Sequence, residues 1–455
     1  MPNSQPSLSR LLKLALPLTG AMLSQAIIGL VDTALVGHLG GLALASVSIG
    51  SYLVFILVAL LTGYATGWQA LVVKQHQGLA SSVPLLNVGF LWGMVLAIGL
   101  LILGQTLLPI AIELFVQDDR INSLALHYSQ WRLWGFPAII ISIGVRIYWS
   151  HIGNTWQYAR LLLLAHIINA PLSYCLIYGY GGLPAMGAEG AGLGTAIALW
   201  LGALMQLIQV VGNIGTRSKK DAYPWPTIIM VKSFALAFQQ LCRFCWAPIV
   251  QQLAFALHLM VFLWLLSRLG LSAMAASFSV LNVGLLLILP GLGLAQAAIA
   301  IVGKDFHGPY GKHWLKNVRA WSSLILTTGI VLVCAFALMV GLASDWLSQL
   351  LLINPDLQRL TASALPWYAL AMVFETVIVI MSRCLVVTGR RTITLLLVAT
   401  GQWAVFLPLM WWAAPVYGFM AVWWLHVAYR MVISVLLWRI WRNHLNITAT
   451  QKKDV

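Results

Sequence analysis

Residues 40–78 read GGLALASVSIGSYLVFILVALLTGYATGWQALVVKQHQG, and residues 270–308 read GLSAMAASFSVLNVGLLLILPGLGLAQAAIAIVGKDFHG. With a shift of 230 residues, Gly40 falls on Gly270, Ala45 on Ala275, Gly63 on Gly293, Ala65 on Ala295, Ala70 on Ala300, Lys74 on Lys304 and Gly78 on Gly308, without a gap. Chance matching of common Gly and Ala does not readily supply the shared Lys with a Gly four residues after it. Both copies also carry long apolar runs with few charges, the mark of a bilayer-spanning helix. These stretches therefore predict a duplicated set of membrane helices.

The rest of the 455-residue chain extends that reading. Its composition is 61% apolar and 8% charged, where a soluble domain carries about 25% charged residues. Lipid must be the solvent for most of this surface, and the 21 Trp fit anchoring at the membrane interfaces. Windows of about 20 apolar residues place spans near 11–37, 43–73, 84–108, 124–150, 160–181, 188–212, 230–266, 271–303, 318–343, 360–386, 393–412 and 416–440. The loops between them alternate in charge. One set holds Lys74, Arg160, Arg217, Lys219, Lys220, Lys304, Lys312, Lys316, Arg319, Arg390 and Arg391, and the termini add Arg10, Lys13, Arg439, Arg442, Lys452 and Lys453. The other holds Glu113, Asp118, Asp119, Glu189, Asp345 and Asp356, with Arg120, Arg268 and Arg359 against them. By the positive-inside rule the basic set and both termini are cytoplasmic, which requires an even number of spans, and twelve satisfies it. The net charge of +15 then reads as membrane orientation and not as nucleic-acid binding.

The expected fold is all-α and integral to the membrane. It comprises an N-terminal six-helix lobe (1–212), a cytoplasmic linker (213–229), and a C-terminal six-helix lobe with a short cytoplasmic tail (230–455). The shift equates spans of the same orientation, so the repeats are parallel, and rocking of two such lobes about a central cleft is the natural alternating-access motion. Small residues at helix spacing (Gly37 and Gly41, Gly63 and Gly67, Gly190 and Gly194) read as devices for close helix packing. The five cysteines (Cys175, Cys242, Cys245, Cys334, Cys384) lie in apolar runs; Cys242 and Cys245 form a C-x-x-C without further ligands and read as small lipid-phase side chains. The apolar run after Arg10 and Lys13 is too long, and lacks the cleavage site, for a signal peptide.

Ionisable residues inside spans are costly and are default functional candidates. Asp32, in QAIIGLVDTALVGHLG, is the sharpest; the 230 shift places Phe262 opposite it, so the acid belongs to one lobe only. It lies eight residues before Gly40, which is about 12 Å below the outer face. Ser173 lies eight residues before Gly181, and Thr195 eight after Gly187, so both reach a similar level. Asn169 is one turn from Ser173 on the same face, and His166 is three residues further back. Glu375, in YALAMVFETVIVI, lies near mid-membrane on span ten and is the candidate second coupling acid; Arg243 and Arg430 are open between snorkelling and pairing with acids. There is no G-x-x-x-x-G-K-[ST], H-E-x-x-H or G-x-S-x-G, so no cofactor, metal or enzyme activity is expected and pumping would draw on an ion gradient. A buried carboxylic acid suits that task, because apolar surroundings favour its protonated form and water access favours release. One charge moved through 100 mV is worth roughly 2.3 kcal/mol.

At these residues the chain resembles the multidrug and toxic compound extrusion (MATE) family, within the multidrug/oligosaccharidyl-lipid/polysaccharide exporter superfamily. IGLVDTALVGHLG is similar to the first-helix signature of its DinF-like branch, WSHIGNTWQYAR to the end of helix four, and GAEGAGLGTAIA to the start of helix six. LSRLGLSAMAA and LPGLGLAQAAIAIVGKDFHG resemble helices seven and eight. The resemblance implies cation-coupled export of small organic compounds, with Asp32 as coupling residue acting with Asn169 and Thr195. The family often reads N-I-V-L-D on helix five, where this chain has Asn169-Ala170-Pro171-Leu172-Ser173. The second acid of a two-acid cation site is thus absent, which turns the expectation toward protons and away from sodium. Glu375 falls where the NorM-like branch has an acid on helix ten, while the helix-seven acid of that branch is replaced near Phe255. Location in a bacterial inner membrane as a monomer is the accompanying expectation. The rival readings are a flippase for lipid-linked sugars, which would show extra spans or a strongly basic cavity, and a membrane enzyme, which would show clustered His, Asp or Glu at the membrane edge. Reporter fusions after Lys74 and after Asp119 should report opposite sides of the membrane; the same side for both would sink the twelve-span topology.

Overall fold

The computed structural model describes residues 6–74, 79–115, 118–216, 234–307 and 314–451. Residues 217–229 of the basic linker, both repeat ends at Gly78 and Gly308, and the tail beyond residue 451 lie outside them. Every element among the described residues is helical. They are α1 (Leu8–Gly37), α2 (Gly41–Lys74), α3 (Leu79–Phe115), α4 (Asp119–Leu133), α5 (Phe136–Ile152), α6 (Trp156–Tyr178), α7 (Ala188–Thr216), α8 (Phe234–Ser267), α9 (Leu271–His307), α10 (Trp314–Leu342), α11 (Ser344–Leu351), α12 (Pro355–Val387), α13 (Arg391–Thr400), α14 (Leu407–Tyr417) and α15 (Phe419–Gln451), with a π-helical turn at Gly401–Phe406 between α13 and α14. They make 12 spans long and apolar enough to cross a membrane. Helices are the expected solution, since in hydrocarbon each backbone N–H and C=O must be satisfied within its own segment.

The repeat read from sequence is present in the backbone. α1 ends at Gly37 and α8 at Ser267, while α2 begins at Gly41 and α9 at Leu271, so both pairs of ends keep the shift of 230 residues. The turn that joins each pair closes on a glycine with positive φ, 111° at Gly40 and 104° at Gly270. A side chain there would be strained, so glycine is required at both positions.

Span four differs from the single helix expected over 124–150. It is two helices, α4 and α5, separated by a turn at Trp134 and Gly135. Pro137 stands in the first turn of α5, where its missing N–H costs nothing. Span eleven, expected over 393–412, runs over Arg391–Tyr417 and carries the π-helical turn, which admits one extra residue per turn. Span twelve continues to Thr448, because its polar last turns still satisfy their own backbone beyond the apolar stretch. α6 runs unbroken through Pro171.

The chain folds as two compact units. One is Gly20–Ile249; the other joins Met1–Thr19 to Val250–Val455. The cuts after Thr19 and after Ile249 keep the same 230-residue shift, so each unit takes the first part of one repeat's opening helix from the other repeat. Glycines explain the exchange. A Cβ on Gly63 would sit 2.5 Å from Ile249 Cα and 2.6 Å from the Pro248 carbonyl, and one on Gly67 would sit 2.5 Å from Cys245 Cα. In the other unit the partner of Gly63 under the shift is Gly293, whose Cβ would collide with the Thr19 side chain. Within the first unit α6 packs on α7, α2 on α3 and α4, and α4 on α7; within the second, α12 is central and packs on α9, α10 and α15.

Gly63→Val and Gly67→Val should each lower thermal stability in nanodiscs by about 1–3 kcal/mol through overpacking against backbone. Gly29→Val, at a glycine with nothing within 4 Å of its Cβ position, should melt close to wild type. Equal melting of all three would remove the close-approach account.

Candidate functional site

In the unit Gly20–Ile249, α1 turns Ile27 and Leu30 outward, 49% and 50% exposed, and Asp32 inward, 8% exposed. Asp32 sits five residues before the end of α1, and Thr195 seven residues after the start of α7. The Thr195 hydroxyl donates to Asp32 Oδ2 at 3.1 Å. Asn169 and Ser173, one turn apart on α6, stand beside the same carboxylate, and Ser173 Oγ donates to Asn169 Oδ1 at 3.2 Å. Asp32 Oδ1 is buried without a hydrogen-bond partner among the described residues. Asp32, Ser173 and Thr195, placed at one level by depth, and Asn169, placed by its helix face, are therefore one cluster.

Glycine again sets this geometry. A Cβ on Gly190 would lie 2.6 Å from the Leu176 carbonyl, and one on Gly194 would lie 2.7 Å from Ser173 Oγ and 3.0 Å from its Cα. α7 thus lies directly against α6, and Thr195 is delivered to the acid by its neighbour Gly194. One feature escaped the sequence reading, and His166, named there, finds its partner. Arg132 on α4 brings its positive charge within electrostatic reach of Asp32 while donating to the Tyr128 hydroxyl at 3.0 Å. Two turns below Asp32, Ser24 Oγ and His166 Nδ1 share a hydrogen bond of 2.7 Å, a second polar rung between α1 and α6.

In the second unit Glu375 does not stand free. Arg430 Nε on α15 donates to Glu375 Oε2 on α12 at 2.8 Å. The guanidinium is clasped by the rings of Tyr368 and Tyr429, each 5.4 Å from its carbon, and Arg430 is 6% exposed. Arg430 therefore pairs with an acid, whereas Arg243 is exposed on α8. Tyr368 and Glu375 are seven residues apart on one face of α12, and His426 and Arg430 four apart on α15, so each half was readable; their meeting across spans was not. The counterpart of the Asp32 cluster is aromatic. Phe262 lies five residues before the end of α8 and His426 seven after the start of α15, and their rings meet edge-on at 4.9 Å where the first unit has an acid and a hydroxyl. Among the described residues no three His, Cys, Asp or Glu side chains gather in a way that would hold a metal ion.

A sequence model of the MatE family matches residues 17–175 and 248–422. The chain belongs to the MATE family. The two matched segments of this MATE protein begin 231 residues apart, within one residue of the repeat shift. Its curated relatives include a probable multidrug resistance protein NorM of Idiomarina loihiensis, 25% identical over 82% of this chain and 79% of that one. Another, a probable multidrug resistance protein NorM of Burkholderia mallei, is 28% identical over 96% of this chain and 94% of that one. Among solved structures, the MATE transporter VcmN of Vibrio cholerae in its bent form matches with a TM-score of 0.80 at 16% identity, over 96% of this chain and 97% of that one. A MOP superfamily transporter of Pyrococcus furiosus matches with a TM-score of 0.84 at 16% identity, over 96% and 95%. The fold is theirs, and the chain is a multi-pass membrane transporter and not an enzyme.

The buried ion pair of this MATE protein supports a sharp test. Arg430→Met should strand the Glu375 carboxylate and destabilise by about 3–5 kcal/mol, whereas Arg430→Met with Glu375→Leu should recover most of the loss. Additive losses in this double-mutant cycle, measured by thermal melting, would show that the two side chains are not coupled.

Proposed function

We propose that this MATE transporter is a cation-coupled secondary antiporter that exports small organic compounds by alternating access, that protons are its preferred coupling ion, and that Asp32 is the coupling carboxylate. The observation that carries the reading is the Asp32 cluster. One carboxylate oxygen is held by Thr195 and the other is buried and, among the described residues, without a hydrogen-bond partner. A carboxylate left in that state is costly. Proton uptake removes the charge and gives the free oxygen a donor, for which the neighbouring Asn169 amide is a suitable acceptor. Loss of the proton restores a charge that draws water between α1 and α6. Sodium favours several oxygen ligands with charge among them, and the cluster offers one carboxylate, because helix five has Ser173 at the place of a second acid.

Glu375 adds no free charge to that account, since Arg430 already neutralises it. It is the secondary candidate. The NorM names of the curated relatives favour multidrug compounds as substrates, and the first-helix acid favours the DinF-like branch. Residence in a bacterial inner membrane follows the NorM relatives, and cytoplasmic termini follow the charge alternation of the loops.

Reconstituted vesicles with imposed proton or sodium gradients and a panel of lipophilic dyes test the proposal. Wild type should export under a proton gradient with sodium absent, and Asp32→Asn should fall to background while melting near wild type. Thr195→Val should weaken export without abolishing it. Retained export by Asp32→Asn, or a strict sodium requirement in wild type, would overturn the assignment.

A further inference from the structure

We propose that the cleft between α10 and α15 is a binding site for an anionic phospholipid, with the phosphate held by Arg319 and Arg442 and an acyl chain lying along Leu326 and Trp438. The cleft encloses about 340 Å³ and has Met381 of α12 among its lining residues. Both its walls come from the unit that contains residues 250–455. On α10 it is lined at positions 319, 322, 323 and 326, and on α15 at 438, 441, 442, 445 and 446. Each set repeats at three- and four-residue intervals, so each is a single helix face.

The chemistry of those faces is graded along the helices. At the level nearest the helix ends, Arg319 Nη2 donates to Asn446 Oδ1 at 2.7 Å. Next comes Trp441, whose Nε1 donates to Ser322 Oγ at 3.2 Å. Beyond these the lining is Leu326 and Trp438, and Trp438, 41% exposed, continues onto Val435, 44% exposed, one turn deeper. Arg319 is five residues into α10, about 8 Å from its start, and Leu326 is a further 10 Å or so along. A polar end at headgroup depth and an apolar end toward the bilayer core match an amphiphile and not a soluble anion.

Charge selects the sign of the headgroup. Among the described residues no carboxylate lines the cleft and neither arginine is in an ion pair. Arg442 rests on the Trp438 ring at 5.6 Å. Two guanidiniums in one cleft without an acid repel each other until an anion lies between them. Basic pockets between membrane helices on the cytoplasmic side are suited to such headgroups, and this edge is the one that carries the basic loops.

The test is native mass spectrometry of delipidated full-length protein, titrated with dioleoyl phosphatidylglycerol, dioleoyl phosphatidylcholine or glycerol 3-phosphate. Wild type should prefer the anionic lipid over the zwitterionic one by about tenfold or more. Arg319→Gln with Arg442→Gln should lose that preference, while Lys316→Gln with Arg439→Gln, which removes two cations at the same edge outside the cleft, should keep it. Leu326→Trp, with both arginines in place, should lose lipid by filling the apolar end, and it carries the test if the arginine variant fails to fold. No headgroup preference in wild type, equal loss in the Lys316 and Arg439 variant, full retention by Leu326→Trp, or displacement of the lipid by an equal concentration of glycerol 3-phosphate would each overturn the proposal.

Discussion

Water is absent from the core of a bilayer, and every polar group placed there must find its partner within the protein. Helices satisfy the backbone, but they leave side chains such as Asp32, Glu375, His166 and Gln206 to find at least one partner across helix boundaries. The structure does this between specific pairs: Thr195 to Asp32 at 3.1 Å, Arg430 to Glu375 at 2.8 Å, His166 to Ser24 at 2.7 Å and Ser142 to Gln206 at 2.7 Å. Each bond fixes the rotation of two helices as well as their contact, because a helix turned by one residue would withdraw its donor and leave a buried polar atom bare. The lipid-facing residues have no such preference. Leucine against lipid is nearly equivalent to leucine against leucine, so apolar surface contributes little to choosing one helix arrangement over another.

Close approach is the second device, and it is where glycine enters. Gly63 and Gly67 admit the opening part of α8, Gly293 admits the opening part of α1, and Gly190 and Gly194 admit α6 against α7. At such contacts dispersion between backbones replaces the hydrophobic driving force that a soluble core would have. The recurrence of Gly63 as Gly293 shows that one packing solution serves both repeats.

Much of this was legible in the amino-acid sequence for physical reasons. Span number and order follow from hydropathy, and the internal repeat survives because Gly40 and Gly270 each need a positive φ and Gly63 and Gly293 each need an absent side chain. Depth was legible too, since a helix rises by a constant amount per residue, and counting from Gly40, Gly181 and Gly187 brought Asp32, Ser173 and Thr195 to one level. Rotation was not. Nothing local tells that Glu375 faces α15, and a long arginine such as Arg430 can reach a membrane interface or an acid with equal ease until its neighbours are known. The break of span four at Gly135 was signalled by Pro137, but an apolar run through a broken helix looks like an apolar run through a straight one.

The repeat also exposes what is not repeated. Equivalent positions on equivalent helices hold Asp32 and Thr195 in one unit and Phe262 and His426 in the other, so the backbone is symmetric and the chemistry is not. In the second unit the rings of Phe262, Phe406, Tyr368 and Trp423 surround His426, and the acid on α12 is already matched by a guanidinium. A buried pair of this kind carries no net charge, and its two members hold each other so long as both remain desolvated. In the first unit the acid accepts from Thr195, has Asn169 and Ser173 beside it and Arg132 within electrostatic reach, and keeps one oxygen without a hydrogen-bond partner among the described residues. Among the described residues the first unit thus keeps a buried carboxylate without an ion pair at this site, and the second pairs its α12 acid with an arginine of its own unit. Under the proposed mechanism, one carboxylate means that one ion moves per cycle through the Asp32 site.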